Sequence, residues 1–280
     1  MTVVGTLARL TRYPVKSLQG EPLAAGELRP DGLDGDRRFA FRDLDTGRIA
    51  SAKQPRPWRA LLDLAAATDG DDVVVQTPTG QRLPIGDPQL CDVVTGLTGR
   101  RVEVVTASPD HLGSYDSTWP EVEGVTLAGP REFAMALRTD AVRFVDVAGL
   151  HVITTATLAQ LEQASPGSVA DPRRFRPNLV LDTGEVAASF LEDAWVGQVL
   201  QLGERARIRI TSKAPRCVMT TVEQPGLWHD PGILRAAATN RQRFAGVGTL
   251  ACAGTYAEVV TPGRVSVGDR VVVPQDARER

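Results

Sequence analysis

The sequence is poor in the side chains from which metal and disulfide sites are usually built. Three cysteines (Cys91, Cys217, Cys252) and three histidines (His111, His151, His229) are scattered through 280 residues. An odd, widely spaced set of cysteines without C-x-x-C excludes a disulfide framework and a zinc knuckle alike. Isolated histidines without H-E-x-x-H remove the zinc-hydrolase reading. G-x-S-x-G, a Walker loop and G-x-G-x-x-G are also missing, which sets aside the simplest hydrolase, kinase and Rossmann assignments. No run approaches the roughly 20 apolar residues a membrane helix needs. The opening residues lack the basic and apolar regions of a signal peptide, and the last residues lack a lipidation box. The expectation is a cytoplasmic protein with no membrane partner. A net charge of −2 argues against a nucleic-acid partner, which calls for a basic excess. It leaves room for a local basic pocket.

What is present reads as mainly β (α+β). Short β-prone runs at Val3–Tyr13, Arg38–Arg42, Arg48–Ala52, Leu61–Ala67, Asp72–Gln76 and Arg82–Ile85 are separated by Asp-Gly and Thr-Gly turns. Asp87-Pro88 opens a helix with Leu90, Val93, Val94 and Leu97 on one face, and Gly99 stops it. Residues 107–129 are polar and aperiodic and read as a connection, followed by helices over Pro130–Arg138 and Ala156–Ala164. Strands are expected at Asn178–Asp182, Ala206–Ser212, Val218–Val222, Thr249–Val260 and Val265–Val273, the last as a strand–turn–strand around Gly268. A helix is expected over Gly232–Asn240. These elements form two linked halves, an N-terminal β-barrel-like unit over 1–120 and a second β-barrel with a few short helices over 121–280.

Four clusters carry candidate chemistry. Tyr13-Pro-Val-Lys16-Ser17 can present an ammonium and a hydroxyl to a phosphate, or it is a turn with a solvated lysine. Gly35-Asp36-Arg37-Arg38-Phe39 can fork an Arg onto an anion, or it is a surface charge pair. Asp171-Pro-Arg173-Arg174-Phe-Arg176-Pro-Asn178 packs three arginines against a strand, which an anionic partner would relieve, or it is a basic surface loop. In Lys213-Ala-Pro-Arg216-Cys217-Val-Met-Thr-Thr221, cations near Cys217 favour a thiolate, the form that binds soft metals or acts as nucleophile. The alternative is an inert buried thiol. Cys91, Cys252 and His151 read as structural.

In this order the clusters resemble the MOSC family, and more narrowly its branch with an N-terminal MOSC β-barrel, which includes the mitochondrial amidoxime-reducing component. The resemblance runs from about Val3 to Val273, with Arg-Phe-Arg-Pro-Asn and Arg-Cys-x-x-Thr-Thr its most specific pieces. It implies a molybdenum cofactor (Mo-molybdopterin) whose protein ligand to the metal is Cys217. It implies Lys16, Ser17, Arg37, Thr154, Arg176, Asn178 and Arg216 as cofactor contacts, with Arg216 and Cys217 as the catalytic pair. The implied activity is reduction of N-hydroxylated compounds such as amidoximes and hydroxylamines, with a small N-oxygenated substrate and a separate electron-donor protein as partners. Pyridoxal phosphate is not expected. The alternative is a carrier of molybdenum cofactor, or of sulfur on Cys217, without reductase activity. Pro215 stands where relatives often carry a hydroxyl residue. The expectation is a protein without the N-terminal membrane anchor of mitochondrial relatives and without the C-terminal ferredoxin-type domain of some bacterial ones.

Overall fold

The computed structural model describes residues 2–109, 112–136, 139 and 142–274. His111, Arg138 and the residues after 274 lie outside the described residues. Strand accounts for 41% of the structure and helix for 18%, so the mainly β expectation holds.

Side-chain alternation builds the larger sheet. Along the strand Ala206–Pro215, Ala206, Ile208 and Ile210 are buried while Arg207, Arg209 and Thr211 are exposed. One face therefore points inward and the other to water. Seven strands close on themselves in the order Leu150–Thr154, Leu179–Asp182, Thr2–Arg12, Arg270–Val273, Val199–Leu202, Ala206–Pro215 and Gly248–Thr261. The last pairs back with the first, Val152 lying opposite Thr255. Closure leaves this ring without a free edge. Its interior is filled by Leu7, Leu10, Val152, Leu179, Leu181, Leu200, Ile208, Ile210 and Val271. Only Leu150–Thr154 and Leu179–Asp182 run parallel, and their crossover carries the helix Thr155–Ala164.

The first strand of the chain thus belongs to a barrel otherwise made by the second half: Leu10 lies opposite Leu179 and Thr6 opposite Arg270. The expected strand–turn–strand around Gly268 resolves into two strands with different partners. Gly263–Ser266 pairs with Ala25–Arg29, whereas Arg270–Val273 joins the barrel. Asp269 Oδ2 accepts from the Ser266 amide at 2.8 Å and turns the chain between them.

The rest of the first half packs small sheets and a helix on a second core. Ala65–Asp69, Asp72–Gln76 and Arg82–Pro84 form a meander, and Phe39–Asp43 pairs with Val102–Thr106. The helix Pro88–Thr98 starts and stops where expected: the Asp87 side chain accepts from the Gln89 amide, and Gly99 ends it in the left-handed region at φ 68°. Leu90 and Val94 pack there against Phe41, Trp58, Leu61 and Val75.

Several local expectations are corrected. Residues 107–129 are not featureless, and Gly129–Ala134 is a strand rather than the start of a helix. Ser114–Trp119 and Gly129–Ala134 form an antiparallel hairpin with Thr118 opposite Pro130. Tyr115, Ser117 and Trp119 alternate inward, and Pro130 is tolerated because a two-stranded ribbon is all edge. Residue 120 falls in the loop of this hairpin. Arg48–Ala52 makes a single bridge, Ile49 to Arg42, instead of a strand. The helix after Pro231 ends at Ala237. Among the described residues no helix is long and apolar enough to cross a membrane.

Candidate cofactor site

A concentration of cationic side chains lies in a cleft where both halves meet. Lys16, Ser17 and Arg37 line it from the first half, and Arg176, Asn178, Arg216 and Cys217 from the second. Clusters as far apart in sequence as Lys16 and Cys217 are therefore brought together.

The backbone is bent to do this. Ser17 (φ 66°), Arg37 (φ 50°) and Arg176 (φ 56°) all adopt left-handed backbone, and Ala136 is the one other described non-glycine residue that does. Such a conformation costs on the order of 1 kcal/mol per residue, and its clustering is a mark of functional sites. Local bonds impose it. The Arg37 amide donates to the Tyr13 carbonyl at 2.7 Å, and Asp36 Oδ1 accepts from the Tyr13 amide at 2.7 Å. Ser17 Oγ accepts from the Ala52 amide at 3.0 Å.

Arg37 pairs with the fully buried Asp36 and donates to the Arg176 carbonyl at 3.2 Å. Arg176 lies 4.2 Å above the Tyr13 ring and donates through Nη1 to the Leu18 carbonyl. Its Nη2 is buried with no partner. Asn178 donates to the Thr11 carbonyl at 3.2 Å, which ties it to the opening strand. Arg216 is held by the Ala253 carbonyl at 2.7 Å, the Phe175 carbonyl at 3.3 Å and His151 Nε2. Burial, then the charges of Arg216 and Arg37, push the His151 pKa well below its ordinary value. The ring is neutral, and its Nε2 accepts from Arg216.

Cys217 is buried at 4% exposure. The segment after it, expected as a strand, is the 3-10 turn Val218–Thr221. Hydroxyls bend it: Thr220 Oγ1 donates to the Cys217 carbonyl at 3.1 Å and Thr221 Oγ1 to the Val218 carbonyl at 2.8 Å. Arg174 anchors the same turn from below, donating to the carbonyls of Thr220 and Val222. Of the three clustered arginines, then, Arg173 pairs with Asp171 at the surface, Arg174 serves the turn, and Arg176 faces the cleft.

Two other expectations change. Thr154 does not line the cleft. It is fully buried, donates to Glu192 at 2.6 Å, and accepts from the Thr157 amide at 3.1 Å as the N-cap of the helix behind it. Lys213 is engaged by Asp193 at 2.7 Å and Asn240 at 2.7 Å. The lysine that lines the cleft beside Cys217 is Lys53.

Sequence reasoning passed over Lys53, Asp146 and Tyr256 and assigned His151 to structure; all four line the cleft. Asp146 accepts from Lys16 Nζ at 2.6 Å and from Lys53 Nζ at 2.7 Å. Burial, with repulsion from Lys53 and Arg37 and opposed by Asp146, lowers the Lys16 pKa to about 8. Burial also works against the Lys53 charge, yet Asp146 holds its pKa well above the ordinary value. Arg176 is lowered to about 10, mainly by burial. Lys16, Arg37, Lys53, Arg176 and Arg216 thus face a single lining carboxylate, Asp146, and this surplus suits an anion. Cys252 is fully enclosed, and burial pushes its thiol up to about 12, so it is a packing residue. Among the described residues no three His, Cys, Asp or Glu side chains form a metal cage.

A family model described as MOSC N-terminal beta barrel domain matches residues 4–106, and one described as MOSC domain matches residues 139–272. This is a MOSC-domain protein. Its MOSC domain contributes Arg176, Asn178, Arg216 and Cys217 to the cleft, and the preceding domain contributes Lys16, Ser17 and Arg37. The chain is similar to human mitochondrial amidoxime-reducing component 1, 25% identical over 296 residues that cover 96% of this chain and 82% of the relative. Human mitochondrial amidoxime reducing component 2 is 26% identical over 239 residues, covering 79% of this chain and 67% of that one. Among solved structures, the YUAD protein from Bacillus subtilis aligns with 97% of this chain and 94% of its own at 12% identity and a TM-score of 0.47.

Proposed function

We propose that this MOSC-domain protein binds molybdenum cofactor in the cleft and reduces N-hydroxylated compounds with electrons from a separate protein. The observation that carries this reading is the convergence of one buried thiol with a surplus of cationic donors. The residues fit the group. The unpartnered Nη2 of Arg176 calls for an acceptor, and a phosphorylated ligand offers several. Cys217 would hold the metal. Lys16, Ser17, Arg37, Arg176 and Asn178 would hold the phosphate end.

When bound, the cofactor supplies a two-electron redox centre for removing oxygen from nitrogen. The chain's own part is positioning. Arg216 and Lys53 put positive charge close to the Cys217 sulfur, and a soft metal takes that sulfur as thiolate. His151 and the carbonyls of Phe175 and Ala253 fix Arg216, and Arg174 fixes the turn that presents Cys217. The names of the relatives support the reaction class by analogy. In the same reading the cofactor lies between units 1–120 and 121–280, which are tied together by the hairpin around residue 120 and by the strand Thr2–Arg12 in the barrel of the second.

The test compares wild type with Cys217→Ala, both made in a cofactor-producing host. Near-stoichiometric molybdenum and pterin in wild type, molybdenum loss in the variant, and benzamidoxime turnover with an artificial donor are expected. Metal-loaded protein that leaves benzamidoxime untouched would retire the reductase in favour of a cofactor carrier. Protein holding neither metal nor pterin, but a persulfide on Cys217, would favour sulfur carriage.

A further inference from the structure

A second cavity adjoins the cofactor cleft. It shares Lys53, Val147, Pro215 and Tyr256 with the cleft. The two spaces differ in chemistry. Where the cleft is lined by cations, the second cavity is walled mainly by rings and aliphatic groups.

One wall is the hairpin. Tyr115, Trp119 and Phe133 project from its strands, with the Phe133 ring 5.9 Å from Tyr115 and 6.4 Å from Trp119. Offset and edge-on rings of this kind form a rigid apolar face. The opposite wall is Phe244, Val247 and Leu250. Within the aromatic wall, Trp119 Nε1 is buried without an acceptor. The three rings of the hairpin all fall between residues 106 and 139, outside both family-matched stretches. The wall is therefore supplied by the part of the chain that belongs to neither matched domain.

Resting on the reductase reading, we propose that this cavity seats the flat apolar body of the N-hydroxylated substrate while its N–O group enters the cleft near Cys217. The site then selects aryl compounds over small alkyl ones. Each carbon moved from water into such a pocket adds to binding, and a ring in place of a methyl group is worth about tenfold or more. The hairpin is the specificity element.

The experiment measures binding to cofactor-loaded protein without an electron donor, by ligand-observed nuclear magnetic resonance, with benzamidoxime and acetamidoxime as probes. Wild type is expected to bind benzamidoxime at least about tenfold more tightly. Val247→Trp fills the cavity from a half-buried position. It should weaken benzamidoxime binding far more than acetamidoxime binding, abolishing most of that preference, with molybdenum content unchanged. Trp119→Leu, which keeps an apolar wall but removes the ring, should reduce the preference in the same direction. Equal affinities in wild type, or a preference that survives Val247→Trp, would overturn the inference. Turnover with an artificial donor separates the two readings. Selective binding without turnover of either probe sinks the reductase reading alone. Turnover of both probes at equal kcat/KM sinks the cavity assignment alone.

Discussion

Replacing Arg174 by Met asks how much of the site depends on a guanidinium committed to backbone carbonyls. Arg174 is the largest fully buried side chain among the described residues. It donates to the carbonyls of Trp228 at 2.7 Å, Val169 at 3.1 Å, Thr220 at 3.3 Å and Val222 at 3.4 Å. Methionine keeps much of the apolar stem and removes the guanidinium. Two effects oppose each other. A buried carbonyl left without its donor costs about 1–3 kcal/mol, and the two shorter bonds count most. Against that, burial disfavours the Arg174 charge, lowering its pKa, and the variant is relieved of it. The net expectation is a loss of about 2–4 kcal/mol, or a fall of about 4–8 °C in Tm for a chain of this size. Scanning calorimetry reads the stability. Molybdenum content of protein prepared well below Tm reads the turn itself, because two of the four carbonyls flank the segment that presents Cys217. A variant that melts within 1 °C of wild type and carries full metal would refute the idea that Arg174 organises that turn.

Three further outcomes follow from single features. Gly254 has φ +75°, and a Cβ there would sit 2.7 Å from the Val152 carbonyl and against the His151 ring. Gly254→Ala is expected to cost about 2–4 kcal/mol, and a Tm unchanged by calorimetry would contradict that geometry. Thr154→Val removes the hydroxyl shared by Glu192 and the Thr157 amide, for a loss of about 1–3 kcal/mol with molybdenum content unchanged. Metal or pterin loss at full stability would instead return Thr154 to the cofactor site. Lys16 releases its proton near pH 8 when folded, against 10.5 as the ordinary value. Between those values the unfolded chain holds more protons, so this group's contribution to stability rises with pH. The difference in urea-unfolding free energy between wild type and Lys16→Met should climb from pH 8 to 10, and a flat difference would show that the lysine is not held in its depressed state.

What could be read in advance follows the range of the interaction. The helix Pro88–Thr98 was legible because cap, first-turn proline and stop signal are all local. So were most barrel strands, through two-residue alternation. The turn after Cys217 was not, because Val-Met-Thr-Thr has strand propensity while its hydroxyls bond back to carbonyls three residues earlier. The hairpin at 114–134 was hidden by the same kind of conflict: alternating Ser, Asp and Thr masked the inward Tyr115 and Trp119, and Pro130 mimicked the first turn of a helix. For the cleft, residues inside motifs were found, whereas Lys53, Asp146 and Tyr256 were missed. Each of these is an ordinary residue in an unremarkable stretch, made interesting only by what folding sets opposite it. Thr154 erred the other way, since a cap hydroxyl and a ligand hydroxyl look alike in sequence.

The place of the strand Thr2–Arg12 in the barrel bears on how the molecule is made. It sits between Leu179–Asp182 and Arg270–Val273, so it must wait for partners synthesised about 170 to 270 residues later. Such pairings give a high contact order, and loop closure over nearly the whole chain must precede the contacts that reward it. Until then Leu7 and Leu10 have no barrel interior to enter, and an unpaired apolar strand is a template for association. The second half cannot be excised as a working unit by cutting between the two matched domains, because the ring would be opened at one strand. A circular permutant that moves residues 2–12 behind residue 273 would shorten that wait, and should refold faster and aggregate less while keeping the same cleft.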